Sequence, residues 1–205
     1  WAELLPLTQP DRRVCTLRDY HSPNLLWLSE REGMKRVGLI DTQDCLMGHP
    51  AYDLASMLQD ARVDIPFAQA DRLFEHYCVL RQDDPAFDRA SFEVAYCILG
   101  AQRATKILGI FARLSKRDGK HGYLRHIPRV SRYLERNLAH PRLAGLRRWF
   151  DTHLPAARRE RYQKEALAYT NDIVPKAEGA AQRMGQDAEA YKAQVVALAE
   201  GDVAR

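Results

Sequence analysis

The stretch Leu-Arg-Asp-Tyr-His-Ser-Pro-Asn at residues 17–24 decides the interpretation of this chain, together with Leu-Ile-Asp at residues 39–41. Asp19 and Asn24 lie five positions apart in the first stretch, and Asp41 ends the second. Two carboxylates and an amide oxygen suit a hard cation such as Mg²⁺. Phosphoryl transfer needs that metal and a carboxylate that receives the proton of the acceptor hydroxyl.

The sequence between these two stretches predicts a β-hairpin. Two short apolar runs, residues 25–28 and 37–40, flank a polar turn that contains glycine at residues 29–33. A shorter extended segment is predicted at residues 15–17. Because a hairpin brings its two open ends together, we expect the three polar side chains of the preceding paragraph to meet at one place.

Everything after Pro50 is predicted to be helical, because apolar residues recur there at helical spacing. The run over 91–114 is the most apolar and is expected to be the core helix. Gly119 marks a turn, and Pro141 is expected to open the last helix of this part. The predicted helices cover residues 52–60, 66–80, 91–114, 123–137 and 143–153.

The character of the chain changes past Pro155, where alanine and glutamine replace aliphatic residues. An Ala-Glu-Gly or Ala-Glu-Ala unit recurs every 11 residues, at 177–179, 188–190 and 199–201. Eleven residues make three helical turns, which is the period of a nearly straight coiled coil. The pattern predicts a long helix that pairs with its own kind, or a monomeric helix folded back on the domain. Its glycines predict fraying unless the helix is paired.

Composition excludes several classes of protein. The 205 residues are 46% hydrophobic and 28% charged, and no apolar stretch is long enough to span a membrane. The net charge of +4 is too small to indicate nucleic-acid binding. The basic excess lies in residues 103–148, which form either solvated helix faces or a wall that attracts an anionic substrate.

The four cysteines are far apart in sequence, without a C-x-x-C pair, so neither zinc nor a disulfide framework is expected. They are predicted to be ordinary core or surface residues in a cytoplasmic protein. Their positions are Cys15, Cys45, Cys78 and Cys97.

A family resemblance follows from the order of these motifs. The chain resembles the aminoglycoside phosphotransferase and choline kinase-like group in three motifs. They are Arg-Asp with Asn five positions after the Asp, then Leu-Ile-Asp, and then Gly-His-Pro-Ala-Tyr-Asp-Leu-Ala at 48–55. With the segment at 102–114, the chain looks most like the N-acetylmuramate/N-acetylglucosamine kinase type. The resemblance covers about residues 1–155 and implies the helical C-lobe of a protein-kinase-like fold.

The resemblance also implies roles for individual residues. Asp19 would be the catalytic base, while Asn24 and Asp41 would hold Mg²⁺ for transfer from ATP to a sugar or aminoglycoside hydroxyl. Asp53 would brace the catalytic loop from the following helix, or would be an ordinary acid at a helix N-terminus. Three further residues are candidates for substrate contact, with loop support or a salt bridge as their alternatives: His21, Arg103 and Lys106.

Three departures from the family pattern stand out. Leu17 replaces the usual histidine, and Thr42 replaces the aromatic residue that usually follows the metal-binding aspartate. Only 18 residues precede Asp19, and they contain neither a glycine-rich loop nor a strand lysine. We therefore expect the ATP-clamping N-lobe to be absent from this chain, which would make it a poor catalyst alone.

The tail resembles a different group of proteins. Residues from about 160 to 205 look like the C-terminal helical region of HflK, one of the stomatin/prohibitin-like scaffold proteins. The predicted fold class is thus mainly α with a small β-hairpin, with a kinase-like C-lobe at 1–155 and a helical, coiled-coil-like tail at 156–205. Two functions follow as hypotheses: a phosphotransferase C-lobe acting on a sugar hydroxyl, or an oligomerisation module that acts through the tail.

Overall fold

The computed structural model describes residues 1–10 and 13–203 and contains four short strands and six α-helices within them. This mainly helical architecture with a small β-hairpin and a long C-terminal helix confirms the predicted fold class. The strands are β1 (Val14–Thr16), β2 (Leu25–Trp27), β3 (Val37–Leu39) and β4 (Leu46–Gly48). The helices are α1 (Ala51–Leu58), α2 (Phe67–Arg81), α3 (Arg89–Asp118), α4 (Ile127–Leu138), α5 (Ala144–His153) and α6 (Ala156–Val203).

The strands form two antiparallel pairs. β2 pairs with β3 in the register that places Leu25 opposite Leu39, which confirms the predicted hairpin. β1 pairs with β4, and Val14 lies opposite Gly48. The second pair was not predicted, because three residues of β4 give too short a pattern to recognise. A Cβ on Gly48 would lie 2.8 Å from the Thr16 hydroxyl, so this close approach of the two strands requires glycine.

Helix α3 is the centre of the core, as its apolar pattern predicted. Asp88 precedes it and caps its N-terminus by accepting a hydrogen bond from the Ser91 amide, and Gly119, in the left-handed conformation, caps its C-terminus. One face packs against α4 and α5 through buried residues that include Ile98, Phe111, Val130, Leu134, Leu138 and Phe150. A second, smaller cluster with Cys78 and Phe92 joins α3 to α1 and α2.

A buried amide pair crosses this core. Gln59 Nε2 donates to Asn137 Oδ1 at 3.1 Å, and Asn137 Nδ2 donates back to Gln59 Oε1 at 2.8 Å. A Cβ on Gly100 would approach both amides to within 2.9 Å. Glycine at position 100 therefore lets two side chains from distant parts of the sequence satisfy each other in the interior.

The first turns of α6 are fastened to the rest of the chain. Arg159 is 9% exposed, pairs with Glu135 at 2.7 Å and Asp151 at 3.1 Å, and donates to the carbonyl of Leu154. About three turns farther along, Thr170 is buried and Tyr169 packs edge-on against His121, with ring centroids 5.1 Å apart. Beyond these contacts, residues 181–196 are all exposed.

The tail is one continuous helix of 48 residues, with Pro175 inside it. The glycines that predicted fraying lie within this helix. The pairing implied by the 11-residue repeat, and the division of the chain at residues 155 and 156, stay predictions.

Arg159 is expected to stabilise the junction of α6 with α4 and α5. Arg159→Met removes a buried guanidinium from two carboxylates and one carbonyl, and we expect it to lower the free energy of unfolding by about 1–2 kcal/mol. Arg161→Met is the matched control, because Arg161 is exposed and pairs with the exposed Glu165 of its own helix. Urea unfolding measures the free energy of unfolding of both variants. An equal decrease in the two variants would contradict the prediction.

A histidine at the start of α4 makes stability depend on pH. Burial, followed by the charges of Arg125 and Arg129, lowers the pKa of His126 to about 4. The unfolded chain, with a histidine pKa of about 6.5, therefore binds more protons than the folded chain between these values. The free energy of unfolding is accordingly expected to rise with pH through this window and to fall as the pH drops through it.

Urea unfolding at about pH 5 and about pH 7 measures this dependence, and His126→Gln should reduce the gain by about 1 kcal/mol after allowance for solvent screening. Burial also lowers the pKa of His21 and of His49, so part of the gain should remain in the variant. If the free energy of unfolding of His126→Gln changed with pH as much as that of the original chain, the attribution of this pH dependence to His126 would be wrong. His153→Gln, at an exposed position, is the control.

Candidate active site

The loop between β1 and β2 is held by the first helix after the strands. Asp53, in the first turn of α1, accepts hydrogen bonds from the amides of Leu17 at 2.7 Å and Arg18 at 2.9 Å. Ser56 Oγ, one turn later, donates to the carbonyl of Arg18 at 3.2 Å. Burial raises the pKa of Asp53, and the two amides oppose that shift by stabilising the carboxylate. Three hydrogen bonds from one helix thus set the backbone next to Asp19.

Two residues of this region have an unusual backbone. Among the described non-glycine residues, Arg18 and Asp41 have positive φ, at 68° and 60°. Left-handed conformations cost such residues about 1–2 kcal/mol each, and they persist where surrounding contacts impose them, most often at functional sites. For Arg18 those contacts include the Asp53 and Ser56 bonds, and its guanidinium also donates to the carbonyl of Asp44.

Asn24 joins the two ends of the hairpin. Its side-chain amide donates to the carbonyl oxygen of Asp19 at 3.0 Å and to the Asp41 carboxylate at 3.3 Å. Its own carbonyl accepts from the amide of Ile40 at 3.1 Å. The structure therefore brings the side chains of Asn24 and Asp41 together, as the hairpin argument expected, while Asp19 joins them through its backbone carbonyl. Both aspartates are exposed.

The donor set around Asp41 fits a hard cation. Each carboxylate oxygen of Asp41 faces an amide nitrogen, one from Asn24 and one from Gln43. Turning an amide about its last torsion would present its oxygen as a ligand instead. Over the described part of the chain, no group of three or more His, Cys, Asp or Glu side chains is placed to hold a metal. The Asp41 carboxylate with one amide oxygen suits Mg²⁺, which keeps several waters and needs few protein ligands.

A layer of buried polar groups lies next to this loop. Asp60 is 1% exposed and accepts from the amides of Ser22 at 3.0 Å, Arg62 at 2.8 Å and Val63 at 3.3 Å. His21 is buried, and its Nε2 lies 3.3 Å from the Arg62 guanidinium. Since burial lowers the pKa of His21, its neutral imidazole can accept that hydrogen bond. Asp60 was not predicted as a site residue; it ends the helix predicted over 52–60, whereas α1 ends at Leu58.

The three candidates for substrate contact occupy different surroundings. His21 and Arg103 are buried, and Arg103 donates to the carbonyl of Gln59 at 3.3 Å. Burial lowers the pKa of Arg103, while Tyr52, Asp60 and Asp19 favour its charged form. Lys106 is instead at the surface.

Lys106 lines a cavity beside the loop. Its amine donates to the Tyr52 hydroxyl at 3.3 Å, and both residues face a cavity of about 530 Å³ that Arg18 also lines. Gln102 lines the same cavity, and its Oε1 is buried without a hydrogen-bond partner among the described residues. The substrate-binding assignments stay predictions, and the cavity adds Gln102 to the candidates.

The chain is similar in sequence to known phosphotransferases. Residues 1–92 match the Phosphotransferase enzyme family. The chain is 43% identical over 159 residues to an N-acetylmuramate/N-acetylglucosamine kinase of Caulobacter vibrioides, an alignment that covers 78% of this chain and 43% of that protein. A kinase of the same name from Pseudomonas aeruginosa is 38% identical over 146 residues, which cover 68% of this chain and 40% of that protein.

The architecture is therefore a kinase-like partial fold, and the chain spans about two fifths of the length of the curated relatives it matches. The resemblance of the tail to HflK has no support in these comparisons. Within the described residues, no helix combines the length and the apolar character needed to cross a membrane.

The Asp53 carboxylate can be tested directly. Asp53→Asn keeps the shape of the side chain but replaces one acceptor oxygen by an amide group, which leaves one loop amide without its partner. We expect a loss of about 1–3 kcal/mol in the free energy of unfolding. We also expect faster hydrogen exchange at the amides of Leu17 and Arg18. Asp64→Asn is the control, because Asp64 is an exposed partner of Arg129 and Arg132. Unchanged exchange at Leu17 and Arg18 in Asp53→Asn would contradict the bracing role.

Proposed function

We propose that this chain is the acceptor- and metal-binding lobe of an ATP-dependent phosphotransferase that acts on a sugar hydroxyl. One observation carries the proposal: the Asp53 carboxylate holds the backbone of Leu17 and Arg18, next to Asp19, while Asn24 links Asp19 to Asp41. The family match over residues 1–92 and the amino-sugar kinases named above support the same reaction class.

Asp19 is the proposed general base. Its carboxylate is exposed at the end of a loop whose backbone is fixed on both sides, so it can reach an acceptor hydroxyl from solvent. A base must lie within hydrogen-bond distance of the oxygen whose proton it removes. Removing that proton makes the sugar oxygen the nucleophile toward the terminal phosphate of ATP.

Asp41 and Asn24 are the proposed ligands of Mg²⁺. The hydrogen bond between them shows that their side chains reach the same point from the two ends of the hairpin. When bound, the metal would neutralise charge on the phosphates of ATP. The left-handed backbone at Asp41 fixes the direction in which its carboxylate leaves the loop. Thr42 in place of an aromatic residue puts more of that task on the contacts from Asn24 and Gln43.

The cavity beside the loop is the proposed sugar pocket. Arg18 and Lys106 bring positive charge to it, and the unpartnered Gln102 Oε1 offers an acceptor for a hydroxyl or an amide N–H. Such a combination suits an N-acetylated sugar, and a carboxylated one would also gain from the two cations. We assign His21 and Arg103, which are buried, to support of the loop.

The nucleotide-clamping part is proposed to belong to a longer protein, because the curated relatives are more than twice as long as their aligned regions. The hairpin region exposes several large apolar side chains on which such a part could pack. They are Leu26, Trp27, Met34, Val37, Leu46 and Met47, and Met34 is 93% exposed.

Calorimetric titration of Mg²⁺–ATP into the full chain tests the metal site. Mutation of a residue that only hydrogen-bonds a metal ligand weakens metal binding by about 10–100-fold. Asp41 is a proposed direct ligand, so we expect Asp41→Asn to weaken binding by at least about 10-fold. Asp44→Asn, three positions along the same exposed loop, should leave the affinity unchanged. Equal affinities for the two variants, or equal losses, would overturn the assignment of Asp41. Asp19→Asn should retain binding, because the base is not a proposed metal ligand.

A further inference from the structure

Two cysteines that are 30 positions apart in sequence lie side by side in the fold. Cys15 is the central residue of β1, and Cys45 directly precedes β4. Thr16 pairs with Leu46 in this ladder, so extending the register by one residue puts Cys45 on the same face as Cys15, at a diagonal position. The neighbouring Cys45 side chain raises the pKa of the Cys15 thiol, and both residues are exposed.

The other two cysteines have different surroundings. Cys78 is 3% exposed within the α1–α2–α3 cluster, and burial raises the pKa of its thiol. Burial raises the pKa of Cys97 to about 12. Since the pKa of Cys15 is raised as well, the difference lies in access: a thiol must be reached from solvent to react, and Cys78 is buried and Cys97 partly buried. Access therefore favours Cys15 and Cys45 as the reactive thiols.

A groove gives small molecules access to this pair. Cys15 lines a groove of about 820 Å³ together with Arg13 and Arg81. Arg81 is paired with Asp84 at 2.5 Å, while the guanidinium of Arg13 donates to the neutral side chain of Gln9. Within the described residues Arg13 forms no ion pair, so its positive charge can attract a small anionic disulfide that approaches Cys15. The Asp88 carboxylate lines the same groove.

We propose that Cys15 and Cys45 form a reversible disulfide by exchange with a small anionic disulfide of the glutathione type. The thiolate of Cys15 attacks one sulfur of the small disulfide, which releases one small thiol and leaves a mixed disulfide on Cys15. The thiolate of Cys45 then attacks the Cys15 sulfur of the mixed bond and releases the second small thiol. The protein loses two electrons and two protons, and the small disulfide gains them as two thiols.

The new bond would join β1 to the end of the loop over residues 41–45. That loop begins with Asp41 in its left-handed conformation and contains Asp44, whose carbonyl accepts from Arg18. A covalent link at Cys45 restricts the loop from its far end. If the proposed function holds, oxidation would thereby act on the segment that carries the Asp41 ligand.

Oxidised glutathione added to the full, reduced chain tests the exchange, with intact mass spectrometry and peptide mapping under non-reducing conditions. We expect the mass to fall by two hydrogens and a single linked peptide pair to contain Cys15 and Cys45. Cys45→Ser should stop at the mixed disulfide and keep one glutathione on Cys15, because the resolving thiol is missing. Cys78→Ser, as the control, should still form the internal bond, and a reducing thiol should reverse it.

Several outcomes would overturn the proposal. These are stable glutathione on both Cys15 and Cys45 without an internal bond, no reaction at either thiol, or an internal bond that includes Cys78 or Cys97. Hydrogen exchange of the peptide over residues 41–47 checks the effect on the loop, and slower exchange is expected in the oxidised chain. Equal hydrogen exchange of this peptide in the reduced and the oxidised chain would show that the disulfide does not restrict the loop. None of these measurements requires metal or nucleotide binding, so they stand or fall independently of the proposed function.

Discussion

The hydrogen bonds from the amides of Leu17 and Arg18 to the Asp53 carboxylate are the constraint on which the rest of the site depends. They tie the end of β1 to the first turn of α1, two elements separated by the entire hairpin. If these bonds were lost, the Ser56 hydroxyl would be the one remaining contact from α1 that holds Arg18 in its left-handed conformation. A carboxylate with two acceptor oxygens is the natural side chain for this task, since each oxygen satisfies one amide.

The polar layer next to the loop extends this constraint into the core. Asp60 orders the residues that follow α1 and, through the amide of Ser22, the end of the loop between β1 and β2 as well. Arg103 supplies positive charge from the central helix α3 close to Asp60 and Asp19. The loop thus rests on a helix that is itself packed on two sides, and burying these charges is tolerable because they face one another.

The sequence predicted the parts of the fold that rest on local patterns. The hairpin follows from two apolar runs around a turn, and α3 follows from a long helical period; both are properties of neighbouring residues. The contact between Asn24 and Asp41 could be predicted because both lie at the open end of the hairpin, whereas the position of Asp19 also depends on the bonds of Asp53. The β1–β4 pair, the Gln59–Asn137 amide pair and the approach of Cys15 to Cys45 depend on tertiary packing between distant segments. Three residues of β4 carry no recognisable alternation, and nothing near Asp60 indicates that its partners are backbone amides.

Helix α6 has a consequence for the shape of the chain as a whole. At 1.5 Å per residue its 48 residues span about 72 Å, several times the radius of a compact domain of this mass. Among the described side chains, Arg159 and Tyr169 fasten its first part to the other helices, while the side chains at 181–196 are exposed. The particle is therefore a compact body with a rod attached at one end. Such a body has strongly anisotropic tumbling and a larger frictional coefficient than its 23.5 kDa would give as a sphere.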